Sequence, residues 1–216
     1  MHMNTVAVYK LLPMLDTPGY EGFGTPGGSG ISATEFIPKG VSTRAWQAPR
    51  LASVWGRRKV LCDKPEYLHD YPCIGFLIPA LSLRAVDVLR DLLEPNGELL
   101  PLICDAGQYF AYNVTAVVDA LDRDTSEIKW RAIDVLRKRE LIVAEKIDHY
   151  EFRPEAVRAL SIFRIPESMT GYYVTNVFAD RIHDHGLRGF DLRKVWPLPR
   201  PKTGSTAEME RRAGLR

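Results

Sequence analysis

Alternation of apolar and polar positions dominates this chain, and helical repeats are few. Residues 99–104 and 108–115 are two short β-rich runs separated by Asp105-Ala106-Gly107, which suits a tight reversal, so the pattern predicts a hairpin. On the second run Tyr109, Ala111, Asn113 and Thr115 fall on one face, and Phe110, Tyr112 and Val114 on the other. One face is apolar and the other mixed, as in a half-buried strand. Residues 127–134 set Ile128, Trp130 and Ala132 against Lys129 and Arg131, and 141–147 and 149–152 continue in that manner. Further strands are expected at 5–12, 60–62, 162–165, 172–174 and near the final 187–190 and 195–196. Helical spacing stands out twice. Ser82 can cap a helix to about residue 94, with Leu83, Val86, Leu89, Arg90 and Leu93 near one stripe and Pro95-Asn96-Gly97 closing it. Thr175 or Asn176 can cap a second, over 176–185, with Phe178 and Ile182 four apart and Gly186 as its left-handed stop. Pro154 can open one or two helical turns. Thr115 can cap a short helix over 116–121 that turns Val117, Val118 and Leu121 inward and Asp119 and Asp122 outward. Short strands with two main helices that do not alternate regularly with them define an α+β fold, mostly antiparallel sheet.

The pattern lapses between residues 17 and 40, where Gly, Pro, Ser and Thr dominate and include GTPGGSG at 24–30; a long surface loop is expected. It lapses again after residue 197, where little remains to bury and Arg200, Lys202, Arg211, Arg212 and Arg216 gather. Three parts result: residues 1–58, a first strand with the Gly/Pro-rich loop; residues 59–196, the α+β domain; and residues 197–216, a basic and flexible tail. A chain of 216 residues can bury one full core, and two large domains are not expected.

Composition narrows the functional classes. With 45% hydrophobic and 26% charged residues the chain is an ordinary globular one. Its 29 bases against 27 acids are too balanced for broad nucleic-acid binding, and they lack the negative excess of a nucleic-acid mimic. No run is long enough for a signal sequence or a membrane span, so cytoplasmic residence and no membrane partner are expected. Cys62, Cys73 and Cys104 form no CxxC pair and sit in or beside apolar runs, as reduced, packed thiols do.

Candidate chemistry is sparse. GTPGGSG invites a phosphate loop, but no Lys-Ser or Lys-Thr follows and no strong helix begins after it. His183 and His185 flank Asp184, yet residues two apart on a helix diverge by about 200°, so they do not converge on a metal. Asp119 and Asp122 could share a helical face, but no histidine or lysine nearby completes an acid–base pair. Asn113-Val114-Thr115 matches a glycosylation sequon, though both polar side chains suit bonds to backbone. No catalytic, cofactor-binding or metal residue is assigned, and the chain reads as a non-enzyme without a cofactor.

Several segments in a fixed order carry a resemblance: a helix ending before GELLPL, then GQYFAYNVT, VVDALDRDTSE, LSIFRIPES and YYVTNVFADRIHDHGLRGFDLRKVW. Over residues 59–196 they resemble the Imm11 immunity-protein family, found beside bacterial polymorphic toxins. The resemblance implies an immunity protein that neutralises a cognate toxin or secreted effector domain by stoichiometric binding, and it brings no active site with it. Between residues 105 and 127 the acids are Asp105, Asp119, Asp122, Asp124 and Glu127, and the only base is Arg123. Asp119, Asp122, Asp124 and Glu127 are therefore the candidate partner-binding residues, an acidic corner facing a basic groove. The alternative is an enzyme or small-molecule binder of unknown reaction, using the Gly-rich loop, the histidine cluster or a pocket between sheet and helix.

Overall fold

β-Branched and aromatic runs set most of the architecture. In this computed structural model the described residues are 6–14, 18–25, 48–75, 78–135, 139–168 and 170–200. In chain order, β1 is Val8–Pro13, β2 Arg58–Lys59, β3 Cys73–Ile74 and β4 Ile78–Ser82, followed by helix α1, Leu83–Leu93. Then come β5, Gly97–Ile103, β6, Tyr109–Val114, β7, Glu127–Val135, and β8, Arg139–His149. Helix α2 is Pro154–Val157, β9 Ile162–Phe163, β10 Tyr172–Thr175, α3 Asn176–Asp184 and β11 Phe190–Trp196. The α+β expectation holds: among the described residues the strands form sheets ordered β11-β1-β10-β9 and β2-β5-β6-β4-β3 and a two-stranded ribbon β7-β8. Only β2 with β5 runs parallel between named strands. No helix among the described residues is long and apolar enough to cross a membrane.

Both main helices form near their expected spans, but only the first is capped by a side chain: Thr175, at the start of α3, donates its hydroxyl to the Leu160 carbonyl, and Asn176 Oδ1 accepts the Ala7 amide. Ser82 Oγ accepts the Ala85 amide, and Ala85, Val86, Leu89 and Leu93 turn inward. Leu83, expected on that stripe, is 37% exposed because Ala85 takes the inward place in the first turn. At the far end the Tyr112 hydroxyl and the Asn96 amide donate to the Leu93 and Leu92 carbonyls, which the helix leaves without partners. Helix α3 stops at Gly186, φ +55°, with the Gly186 amide on the His183 carbonyl and the Leu187 amide on the Ile182 carbonyl.

The hairpin β5–β6 pairs as predicted, with Leu100 opposite Ala111. Its second strand is buried on both faces, however. Tyr112 and Val114 join a core against α1 and α3, while Tyr109 and Ala111 join a second core with Leu51, Trp55 and Val60. The half-buried expectation fails because residues 48–55 cover the second face, held by Glu98 Oε2 on the Leu51 amide at 2.7 Å and by the Asn113 side-chain amide on the Pro49 carbonyl. A third core, with Val8, Leu121, Phe152, Phe163, Tyr173 and Trp196, lies at the first sheet. There β1 sits between β10 and β11, so residues 8–13 complete a sheet whose other strands come from the far end of the chain.

The helix expected over 116–121 does not form. Val117 bridges Arg164 and Leu121 bridges Phe152, so this stretch spends its backbone groups on other segments. The Val118 amide donates to the Arg164 carbonyl and the Arg164 amide to the Ala116 carbonyl. Six residues with two adjacent valines cannot outweigh those bonds with helical ones. Most of the expected 17–40 loop, residues 26–30 of GTPGGSG included, and residues 201–216 of the expected tail lie outside the described residues.

Candidate functional site

Ala120 and Leu121 are fully buried in the third core, and they pin the chain just before it turns outward. The Asp122 amide donates to the Glu151 carbonyl and the Arg153 amide to the Ala120 carbonyl, fastening the strand to the Phe152 segment. Asp122 Oδ1 then accepts the amides of Asp124 and Thr125 at 3.0 and 3.3 Å, forming an Asx turn. The Thr125 hydroxyl first, then those two amides and the Arg153 charge, hold the Asp122 carboxyl below the usual carboxylate range. Asp122 thus serves the turn.

The other three acids divide. Asp119 Oδ1 lies 3.2 Å from Arg123 Nη2 and 3.3 Å from Arg153 Nη2. Arg123 also donates through Nε to Glu167 Oε1 at 2.6 Å, and that bond strengthens its hold on its proton. Asp124 and Glu127 are exposed, and among the described residues neither forms an ion pair. Arg200 Nη2 donates to the Thr125 carbonyl at 2.9 Å, bringing a further base to the turn. The four acids occupy one irregular segment and its exit into β7, with no helical face shared by Asp119 and Asp122. Two are committed internally, and two are open to a partner.

Beneath the turn sits a group that the charge pattern alone does not reveal. His149 Nε2 lies 3.0 Å from Glu151 Oε1, and Trp196 Nε1 donates to Glu151 Oε2 at 2.9 Å. Ser126 Oγ accepts the Glu151 amide at 3.0 Å. The available signal was the two-residue spacing of His149 and Glu151, which puts both on one side of an extended run. The His149 hydrogen bond, ahead of the Trp196 bond, lowers the Glu151 carboxyl below its ordinary 4.5. Because the folded value is the lower one, this carboxylate stabilises the fold above the unfolded value, and the contribution disappears as pH falls through the folded value. Thermal melts of the native chain and Glu151→Gln are expected to diverge near neutrality and to converge in acid, once the pH has fallen through the folded value of this carboxyl. A gap that stays constant into acid would remove Glu151 from the pH response.

Beside the turn an open cleft of about 540 Å³ is lined by Arg123, Trp130, Pro166 and Glu167. Trp130, on β7, is 45% exposed, whereas Glu167 is 3% exposed. The Ala144 amide on the Glu167 carbonyl at 3.2 Å ties the ribbon to this wall. The cleft thus combines a paired charge, an exposed indole and a buried carboxylate. His183 and His185 are exposed at the end of α3, and among the described residues no three His, Cys, Asp or Glu side chains gather as metal ligands. No curated protein matches the chain. Residues 104–196, which hold β6, the acidic turn, the ribbon, the cleft and β11, match the immunity protein family Imm11, supporting the sequence resemblance from residue 104 to residue 196.

Proposed function

We propose that this chain is an immunity protein that neutralises a cognate bacterial toxin by direct stoichiometric binding, without enzymatic turnover, in the cytoplasm. The family match over residues 104–196 carries the reading, and it encloses the whole acidic turn and the adjoining cleft. Exposed carboxylates at Asp124 and Glu127, without an ion pair among the described residues, would steer a basic toxin surface, with Asp119 and Asp122 shaping the edge that presents them. The exposed Trp130 is the aromatic best placed to supply affinity beside them.

Co-expression with the toxin encoded beside it tests the reading. A one-to-one complex and restored growth are expected; absence of both would overturn it. The surface has a separate test. Reversing Asp124 and Glu127 together to Lys is expected to slow association about tenfold at low salt, with little change in dissociation. Asp122→Lys is a poor probe of steering, since it removes the turn's own acceptor. An unchanged on-rate in stopped-flow mixing would place the interface elsewhere.

A further inference from the structure

We propose that the cleft between Trp130 and Glu167 receives a basic side chain, an arginine or lysine inserted by the toxin partner. That the donor is a toxin rests on the immunity reading; the chemistry of the cleft rests on three observations independent of it.

The first is Trp130, a large aromatic left 45% exposed and without a ring or cation contact among the described residues. Indole is the strongest of the protein cation–π platforms. The neighbouring Lys129 is engaged with Asp148 at 3.5 Å, and the β7–β8 ladder shifts register between Lys129 and Trp130. The second is Glu167, whose side chain is 2% exposed. Arg123 holds its Oε1, while Oε2 is buried with no hydrogen-bond partner. A carboxylate oxygen in that state is costly to keep, and a guanidinium or ammonium brings the donors it lacks once the wall over Glu167 shifts enough to uncover it.

The third is the balance of charge. Arg123 and Arg153 are met by Asp119 and Glu167, so the paired charges of the wall cancel, and the sign of the surroundings is set by the acids left over beside it. Asp124 and Glu127 extend from the same turn with no pair of their own among the described residues. Pro166 supplies an apolar wall for the methylene stem of a long basic side chain. A volume of about 540 Å³ accommodates such a side chain with its adjoining backbone.

The test follows the indole N–H of Trp130 by NMR in the full chain with ¹⁵N-labelled tryptophan, the resonance being assigned by its loss in Trp130→Ala. Acetyl-Gly-Arg-Gly-amide and its lysine counterpart are expected to shift it saturably. The norleucine peptide should bind at least about tenfold more weakly, and the glutamate peptide should not bind. Glu167→Gln should weaken the arginine peptide severalfold. Because Trp130 is exposed, Trp130→Phe provides a folded variant that keeps a weaker platform and should bind with intermediate strength. Equal shifts from norleucine and arginine, preference for glutamate, or no saturable shift would each overturn the proposal. If the arginine peptide binds while co-expression gives no protection, the immunity reading falls and the cleft stands. If protection holds but no peptide shifts Trp130, the cleft proposal alone falls.

Discussion

Phe152→Ala is expected to lower the unfolding free energy by about 3–5 kcal/mol and to loosen the acidic turn in the same step. Phe152 is 3% exposed and is the hub of the third core. Its ring lies 5.9 Å from Tyr150, 6.0 Å from Tyr173, and 6.1 Å from both Phe163 and Trp196, centre to centre. Truncation loses the transfer energy of the ring and leaves a cavity that four bulky neighbours cannot fill together. Since a domain holds about 5–15 kcal/mol in total, the variant would sit close to its unfolding threshold. In urea the midpoint should fall with the slope unchanged, while Phe152→Leu, which keeps most of the volume, should lose far less. The consequence for recognition follows from the backbone. Glu151 receives the Asp122 amide and Arg153 donates to Ala120, so both neighbours of Phe152 anchor the start of the turn. Hydrogen exchange at Asp122 and Arg153 should therefore accelerate more than at Phe178, which belongs to a different core. A loss below about 1 kcal/mol, or exchange raised evenly everywhere, would contradict the placement of Phe152 as the anchor.

The features legible in the sequence are those whose causes lie within a few residues of each other. Ser82 and Ala85 are one helical turn apart, Asp105-Ala106-Gly107 joins two strands that pair, and Gly186 ends a helix one residue after its cap. The acidic corner was legible as a list of carboxylates and illegible as a charge. The pairing of Asp119 comes from Arg153, 34 residues beyond it, and the buttress of Arg123 from Glu167, 44 residues further on, while Asp124 and Glu127 keep no ion pair among the described residues. Periodicity cannot see partners that only the fold brings together. The same limit explains residues 116–121, where local propensity allowed a helix but distant Arg164 and Phe152 compete for the backbone. It explains β6 as well: its alternation suggested one buried face, and the cover on the other comes from residues 48–55, in a region with no readable period. Trp130 was visible as one member of an alternating run, but nothing in that run said that Pro166 and Glu167 would stand across from it.

Asp70→Ala is expected to cost about 2–3 kcal/mol, and the cost should come from stranded donors more than from a lost ion pair. Asp70 is buried at the junction of three segments. Its Oδ1 accepts the Ser82 hydroxyl at 2.8 Å, and Ser82 Oγ in turn accepts the Ala85 amide, so the carboxylate orients the cap of α1. Its Oδ2 accepts Arg84 Nη1 at 2.8 Å and the Arg188 amide at 2.9 Å. Arg84 continues to the His185 carbonyl at 2.7 Å, where α3 ends. One side chain thereby joins the start of one helix to the end of the other. The Arg84 side chain is 55% exposed, which limits the ion pair itself to about 1 kcal/mol or less. Arg84→Ala should therefore be the milder change, and a double-mutant cycle of Asp70→Ala with Ser82→Ala should show coupling of at least about 0.5 kcal/mol. Salt separates the two causes. At about 1 M an exposed ion pair is screened within about 3 Å, while the part-buried Arg188 amide and Ser82 hydroxyl left without their acceptor are as costly as before. The Asp70→Ala deficit in denaturant midpoint should persist there. If it vanishes, or if Arg84→Ala matches it, the junction is held by surface charge and the buried carboxylate is secondary.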